Sequence, residues 1–377
     1  VKPVRILHLH SSFSLGGKEA RAVRLMNAFG KAARHVIVSG VHDALGARAA
    51  IAPGIAYEIA QDPPPLTGKP SVARYEAIAR FMRGFDLVLT YNWGAIDGVM
   101  ARRVFGKDAP PVIHHEDGFN SDEAVRLNPL RNAYRRMALG AAHALVVPSH
   151  RLEDIARTVW KQPVSRVHRI ANGIAVDRYA AKPKPNAIPG FRRGKRPVVG
   201  TIAGLRAVKD LPLLVRAVGG IPRDTDLVIV GEGPERAAIE AAAARMFVSD
   251  RVHLPGFLPE PHRVMGLFDI FALTSESEQQ PIAVIEAMAA GLPVVAPDVG
   301  DVKAMVAPEN LPFICPDRHE VHLRDRLTGL IERPDLRAAI GAANRARAAA
   351  LFDESAMIER YRTLYEGAMG RPGVLQD

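Results

Sequence analysis

Cysteine is nearly absent: Cys315 stands alone among 377 residues, which excludes an internal disulfide and argues for a reducing compartment. Aromatic residues are scarce at 6%, and no basic helix with interleaved aromatics, zinc-ligand spacing or RNA-binding pattern occurs, so nucleic acid is not an expected partner. No apolar run is long enough to span a bilayer. No apolar signal segment opens the chain, which begins Val-Lys-Pro and runs straight into a strand. The expectation is a cytoplasmic protein that can touch a membrane without crossing it. A Gly-x-Ser-x-Gly elbow, a P-loop and a clustered Cys/His set are also missing, which weakens serine hydrolase, P-loop nucleotidase and zinc-enzyme readings.

What is present describes an ordinary folded protein. Hydrophobic residues are 48% and charged residues 24%, and the length suits about two to three domains, each with a sizeable core. A net charge of +10 and a pI near 9.9 suit anionic partners: nucleotide phosphates, lipid phosphates or the cytoplasmic membrane face.

Short β-branched runs alternate with helical stretches from end to end. Residues 4–10, 35–39, 86–90, 112–115 and 145–148 read as buried parallel strands, and 17–29, 74–83, 123–139 and 151–159 as the helices between them. Residues 180–197 combine prolines, glycines and basic residues without a period, the composition of an inter-domain linker. Strands are then expected at 198–203, 226–230, 251–254, 270–274 and 293–296, with helices at 211–218, 235–246, 281–290, 321–331, 335–350 and 354–367. The expected architecture is α/β: two doubly wound, Rossmann-like domains, 1–180 and 198–352, joined by a linker at 181–197, with a C-terminal segment 353–377. Ligands of such folds bind beyond the carboxyl ends of the strands.

Several groups could carry chemistry there. Glu278 and Glu286 bracket seven residues, and Pro281 between them suits the start of a helix, whose first-turn N–H groups favour an anion. A ligand with an anionic middle and hydroxyl-rich ends, such as a nucleotide-sugar, would suit two carboxylates placed at either end of that helix start. Arg206 and Lys209 lie on the loop leaving the strand 198–203, where cations could neutralise a diphosphate. Gly16-Gly17 and Gly231–Gly233 are tight turns before helices, each weak as a signal by itself. His114-His115-Glu116-Asp117-Gly118 is expected at a strand end, suited to hydrogen bonding or proton transfer. It lacks the helical spacing of a zinc site. Asp224-Thr225-Asp226 resembles a metal-holding carboxylate pair but precedes its strand, so it reads as a turn; His8 and His10 share one strand face, with His8 read as packing.

Together Glu278-x7-Glu286, the sequel Ala287–Val295, Gly16-Gly17-Lys18-Glu19, Asn172-Gly173-Ile174 with Asp177, the Arg206/Lys209 loop, Gly231–Pro234 and Phe268–Phe271 resemble the retaining family-four glycosyltransferases of GT-B fold, in order and over nearly the whole chain. The resemblance implies residue roles. Glu278 would bind the donor sugar's hydroxyls beside the Gln279-Gln280 backbone, with Pro281 and Ile282 opening the helix, and Glu286 would bind the ribose. Lys209 and Arg206 would grip the diphosphate and stabilise the leaving group. Gly16 and Gly17 would meet the phosphate or acceptor across the cleft, with Asn172, Gly231 and Gly233 also on the donor side. Phe257 would border the base, and His114 or His115 would contact the reacting sugar, with Glu116 and Asp117 on the acceptor side. The C-terminal helix from Glu354 would cross back to the first domain.

The implied activity is metal-independent transfer of a hexose from a nucleoside diphosphate sugar, a UDP-sugar first, to a saccharide, lipid-linked or small-molecule acceptor. Cell-surface polysaccharide or glycolipid synthesis is the expected setting, with no cofactor and with peripheral contact to an anionic membrane. A GT-B nucleotide-sugar epimerase and a non-catalytic nucleotide-sugar-binding protein are the alternatives. Two departures stand out: Gly204 where many members carry arginine, and Gln279-Gln280 where glycines often follow the first glutamate.

Overall fold

The first strand, β1 (Val4–His10), is buried on both faces, as a central strand of a parallel sheet must be. Its residues alternate between two cores: Leu7 and Leu9 join Val36, Val38, Ile78 and Val99 on one face, while Val4 and Ile6 join Leu25, Met357, Tyr361 and Tyr365 on the other. The computed structural model describes residues 2–119, 121–123, 126–222 and 224–376.

Around β1 lie β2 (Ala33–Ser39), β3 (Ala56–Ile59), β4 (Leu87–Tyr91), β5 (Val112–His115), β6 (Ala144–Val147) and β7 (Val167–Arg169), all parallel, in the order β3-β2-β1-β4-β5-β6-β7. The second sheet contains β8 (Val198–Ile202), β9 (Asp226–Val230), β10 (Val252–Gly256), β11 (Ile270–Ala272), β12 (Val294–Pro297) and β13 (Ile314–Cys315), also parallel, in the order β10-β9-β8-β11-β12-β13. In each sheet the order reverses beside the first strand, between β1 and β4 and between β8 and β11. Each is thus a doubly wound α/β unit with a crevice at that switch point.

Three strands escaped the pattern. β3, β7 and the two-residue β13 are all edge strands; β3 alternates exposed and half-buried residues, so it lacks the apolar run that marks its neighbours. The helix Asp97–Phe105 was also missed, and the expected helix 123–139 begins only at Pro129, capped by the Asn128 side chain, with residues 124 and 125 outside those described.

The domain boundary also differs from the expected one. The first unit comprises the chain up to Ala171 together with the segment from Ala356 on, and the second runs Asn172–Ser355. Residues 181–197 are therefore no free linker but part of the second unit. Ile188 and Phe191, the apolar residues of that tract, are 1% and 6% exposed, and Arg193 donates to Asp269 at 2.9 Å and to the Leu267 carbonyl at 3.2 Å. Composition alone missed this, because irregular backbone packed on a core has no period to read.

The C-terminal helix Glu354–Met369 closes the first unit. Met357, Tyr361 and Tyr365 fall on one stripe at four-residue spacing and are buried against the sheet, each contributing about 1.5–3 kcal/mol.

That core also holds titratable rings. His8 Nε2 meets His35 Nδ1 at 3.0 Å, and His10 stacks on Tyr91 with ring centres 4.0 Å apart. His115 Nε2 accepts from the Tyr365 hydroxyl at 2.9 Å while its Nδ1 donates to the Thr90 carbonyl at 3.2 Å. Burial lowers all four: His8 and His10 well below 6.5, His35 to about 4 and His115 to about 3. These groups bind protons in the unfolded chain before they do in the folded one. Their contribution is therefore complete above 6.5 and is lost as pH falls toward the folded values. For His35 the loss is about 2 kcal/mol near pH 5. We predict that scanning calorimetry shows the melting transition falling steeply between about pH 7.5 and 5, and that His35→Gln flattens part of that slope. A transition indifferent to pH over this range would contradict the neutral histidine core.

Candidate functional site

In the second unit the switch point lies between β8 and β11, and the loops leaving their carboxyl ends are tied together. Thr274 Oγ1 donates to the Lys209 carbonyl at 2.8 Å, and the Glu276 N–H donates to the Val208 carbonyl at 2.8 Å. Arg318 clasps both loops, reaching Asp210, Glu276 at 3.0 Å and the Thr274 carbonyl at 3.3 Å. Asp210 sits at φ 42° and caps the following helix by accepting from Leu213 N–H, turning the chain sharply after Lys209. The result brings the Lys209 ammonium onto the Glu278 carboxylate, with both side chains more than four-fifths buried. Two residues picked separately from the sequence are thus one ion pair.

The helix that follows runs Ile282–Ala289, with Pro281 in the capping position instead of the first helical one. Val284 N–H donates to the Pro281 carbonyl at 3.1 Å, the N–H groups of Ile282 and Ala283 precede any intrahelical acceptor, and no side chain of the capping residue meets them. The approach to it is held firmly. Gln280 Oε1 accepts from the Asn172 N–H at 2.6 Å, and the Gln280 carbonyl accepts from Asn172 Nδ2 at 3.2 Å. Asn172, Gln279 and Gln280 are all buried. Asn172 therefore positions the glutamine backbone, a role the sequence did not signal. Gly300 does the same from the other side. At φ +56°, any Cβ there would lie 2.5 Å from the Glu278 carbonyl oxygen, and Asp301 N–H donates to the Gln279 carbonyl at 2.8 Å. Glu286, half-buried in the helix, accepts from the Tyr179 hydroxyl at 2.8 Å.

Gly231 and Gly233 serve the neighbouring loop. A Cβ at Gly231 would fall 1.9 Å from the Ala203 carbonyl oxygen and one at Gly233 2.4 Å from that of Leu205, so these glycines let the β9 loop press on the β8 loop that carries Lys209. Arg206 is exposed and has no ion-pair partner among the described residues. Phe257, at the carboxyl end of β10, is 56% exposed and offers an open ring face. Asp224 and Asp226 lie at the opposite, amino end of β9, where Arg196, Arg251 and His253 face them at 3.4 to 3.8 Å.

In the first unit the loop after β1 leads to Gly16, which caps the helix Gly17–Phe29 in an extended conformation without a side-chain cap, leaving first-turn N–H groups for a ligand. Lys18 and Glu19 pair beside it, and burial raises the Glu19 carboxyl. The histidine expectation needs correction. His114 and His115 lie inside β5, not beyond it, and both are fully buried. His114 Nδ1 bonds Thr90 Oγ1 at 2.8 Å, and His115 is locked under Tyr365. A parallel central strand is covered on both faces, so neither ring is presented at the strand end. Glu116 is likewise buried, its carboxylate 3.6 Å from Arg135 and 3.8 Å from His114. Only Asp117 is partly open. Arg21 forks onto it, one arm at 2.8 Å; burial alone would raise this carboxyl, but the guanidinium outweighs burial and holds it below its ordinary value. His10, which the sequence left aside, ends β1 beside the Gly16 turn with both ring nitrogens lacking a partner among the described residues.

Comparison with known proteins agrees with this geometry. Residues 15–178 match the family model described as Glycosyltransferase Family 4, and residues 186–347 match that of Glycosyl transferases group 1. The chain is 30% identical over 279 residues to a GDP-mannose-dependent alpha-mannosyltransferase of Mycobacterium tuberculosis, covering 66% of this chain and 71% of that one. It is 26% identical over 224 residues to the alpha-D-kanosaminyltransferase of Streptomyces kanamyceticus, 56% of each. The chain spans about half the length of several of the curated relatives it matches. Among solved structures, Anabaena HepE in complex with UDP and glucose superposes with a TM-score of 0.79 at 20% identity, over 97% of this chain and 100% of that one. With two doubly wound units that each carry a switch-point loop, and a family match across both, the chain belongs to the family-four, group 1 glycosyltransferases of GT-B fold.

Proposed function

We propose that this chain is a retaining, metal-independent hexosyltransferase. It takes a sugar from a nucleoside diphosphate donor, a UDP-sugar first, and passes it to a hydroxyl of a saccharide, lipid-linked or small-molecule acceptor in cell-surface polysaccharide or glycolipid synthesis. The observation that carries this reading is the meeting of Lys209, Glu278 and the Ile282 helix start at the switch point of the second unit. Support comes also from relatives whose names describe sugar transfer, one of them dependent on GDP-mannose, and from a fold neighbour crystallised with UDP and glucose.

Departure of a nucleoside diphosphate leaves negative charge on oxygens that preorganised donors must meet, each worth about 3–4 kcal/mol when well placed. Lys209, Arg206 and the first-turn N–H groups of the Ile282 helix supply that field. A ligand phosphate takes the Lys209 ammonium, and the released Glu278 carboxylate turns to the sugar hydroxyls. Glu286 accepts from the ribose, and Phe257 flanks the base. The Gly16 helix start of the first unit is by itself a place that favours an anion. The surplus of basic charge favours an acceptor or membrane surface that is anionic, and the lone cysteine favours work in the cytoplasm.

Incubation with a panel of nucleotide-sugars in the presence of EDTA, read by mass spectrometry, is expected to show a nucleoside diphosphate released from one donor. Interconversion of donor sugars without release would indicate an epimerase, and no change in any donor would indicate a binding protein.

Glu286→Ala removes a charged acceptor and is expected to weaken binding of the free nucleoside diphosphate by about 1.5–3 kcal/mol in calorimetry. Tyr179→Phe, which removes only the hydroxyl that donates to this carboxylate and leaves the charged acceptor in place, should cost about 1 kcal/mol or less.

Arg206→Ala is expected to lower kcat more than it raises KM, because charge on the leaving diphosphate grows toward the transition state. Gly204→Arg in that background should restore activity, since the two positions are neighbours on one loop. Wild-type kinetics for Arg206→Ala would assign the whole leaving-group field to Lys209 and the helix start.

A further inference from the structure

At the amino ends of β1 and β4, the opposite end of the first unit's sheet from the Gly16 turn, a cavity of about 310 Å³ opens to solvent. Its walls bring together Lys2 and Arg5 from the start of the chain, Arg83 from the end of the helix Val72–Met82, and Arg371 from the tail after the last helix. Asp86 is the one carboxylate in the lining, so the cavity holds a formal excess of three positive charges.

The floor is rigid. Asp86 Oδ2 accepts from the Arg5 N–H at 2.7 Å while the Asp86 N–H donates to the Arg5 carbonyl at 2.9 Å, which locks the loop before β4 onto β1. The Arg5 guanidinium donates to the Gly84 carbonyl at 2.7 Å and lies 4.9 Å over the Phe85 ring, so one cation is fixed in orientation with donors to spare. Arg371 reaches Asp86 at 3.4 Å. Lys2 and Arg83 have no carboxylate partner among the described residues. Like charges from three chain segments repel unless an anion lies among them, and planar guanidinium forks beside an ammonium match a tetrahedral oxyanion of high charge.

We propose that this cavity is a binding site for a phosphate-bearing anion, either a free polyphosphate or the phosphate of an anionic lipid headgroup. It is separate from the donor site of the second unit and does not depend on the function proposed above. Its volume suits one or two phosphate groups, with Arg5 and Arg371 as the fixed forks and Lys2 and Arg83 closing on the ligand.

The test uses the whole chain and two probes. In the first arm, arginine modification by phenylglyoxal is mapped by peptide mass spectrometry with and without pyrophosphate. Protection of Arg83 and Arg371, with the midpoint shifted by about tenfold or more in Lys2→Glu, the equivalent of losing one charge-assisted hydrogen bond, supports a free phosphate ligand. In the second arm, the protein is sedimented with phosphatidylcholine vesicles with and without phosphatidylglycerol. Retention that needs the anionic lipid and falls by a similar factor in Arg83→Glu, without pyrophosphate protection, supports the headgroup. Arg83 is exposed and unpaired, so this variant folds, and an unchanged melting temperature verifies it. Absence of both protection and retention, or retention indifferent to Arg83→Glu, overturns the proposal.

Discussion

The ion pair between Lys209 and Glu278, residues 69 apart in the chain, is the constraint around which the second unit's site is organised. Neither charge could be held more than four-fifths buried without the other, because a lone buried ion is costly to desolvate. The pair exists because β8 and β11 are neighbours in the sheet, so the loops that leave them run side by side before their helices diverge. Thr274 and Glu276 then stitch one loop to the backbone of the other, and Arg318 fastens both from outside. The backbone that carries the Lys209 ammonium is thereby held in place.

Glycines supply the rest of that rigidity by absence of side chain. Gly231, Gly233 and Gly300 each leave room for a carbonyl of a neighbouring loop at a distance that no Cβ tolerates, and each has a positive φ. They act on the backbones that carry Lys209 and Glu278, so their influence on a ligand is exerted through position. Buried Gln280 and Asn172 work in the same sense with hydrogen bonds.

The first unit concentrates its polar groups differently. Its central strands carry His8, His10 and His115 into a core lined by Tyr91, Tyr361 and Tyr365, two of which arrive on the C-terminal helix. Burial keeps these rings neutral, so they pack as aromatic side chains, and His8 and His115 also exchange hydrogen bonds. Charged groups of this unit include Lys18 and the Arg21–Asp117 pair near the Gly16 turn and the arginines of the cavity at the other end of the sheet.

The alternation of apolar runs and helical stretches was sufficient by itself for two doubly wound units, since a parallel strand covered on both faces must read as a continuous apolar run. Edge strands β3 and β7 lack that full cover and were invisible for the same reason, while β13, buried but only two residues long, is too short to form a run. Glu278, Lys209 and Arg206 stood out as candidates because loops at strand ends carry polar residues of a kind that a core does not, and Glu286 stood out by its spacing from Glu278 along the following helix. Tertiary structure alone decided what those residues touch. It joined Lys209 to Glu278 and Tyr179 to Glu286, buried His114 and His115 within β5, drew Ile188 and Phe191 of the apparent linker into the second unit, and assigned the chain from Ala356 on to the first. Local sequence reports period and propensity over a few residues. Contacts between residues far apart in the chain depend on strand order, which no local pattern contains.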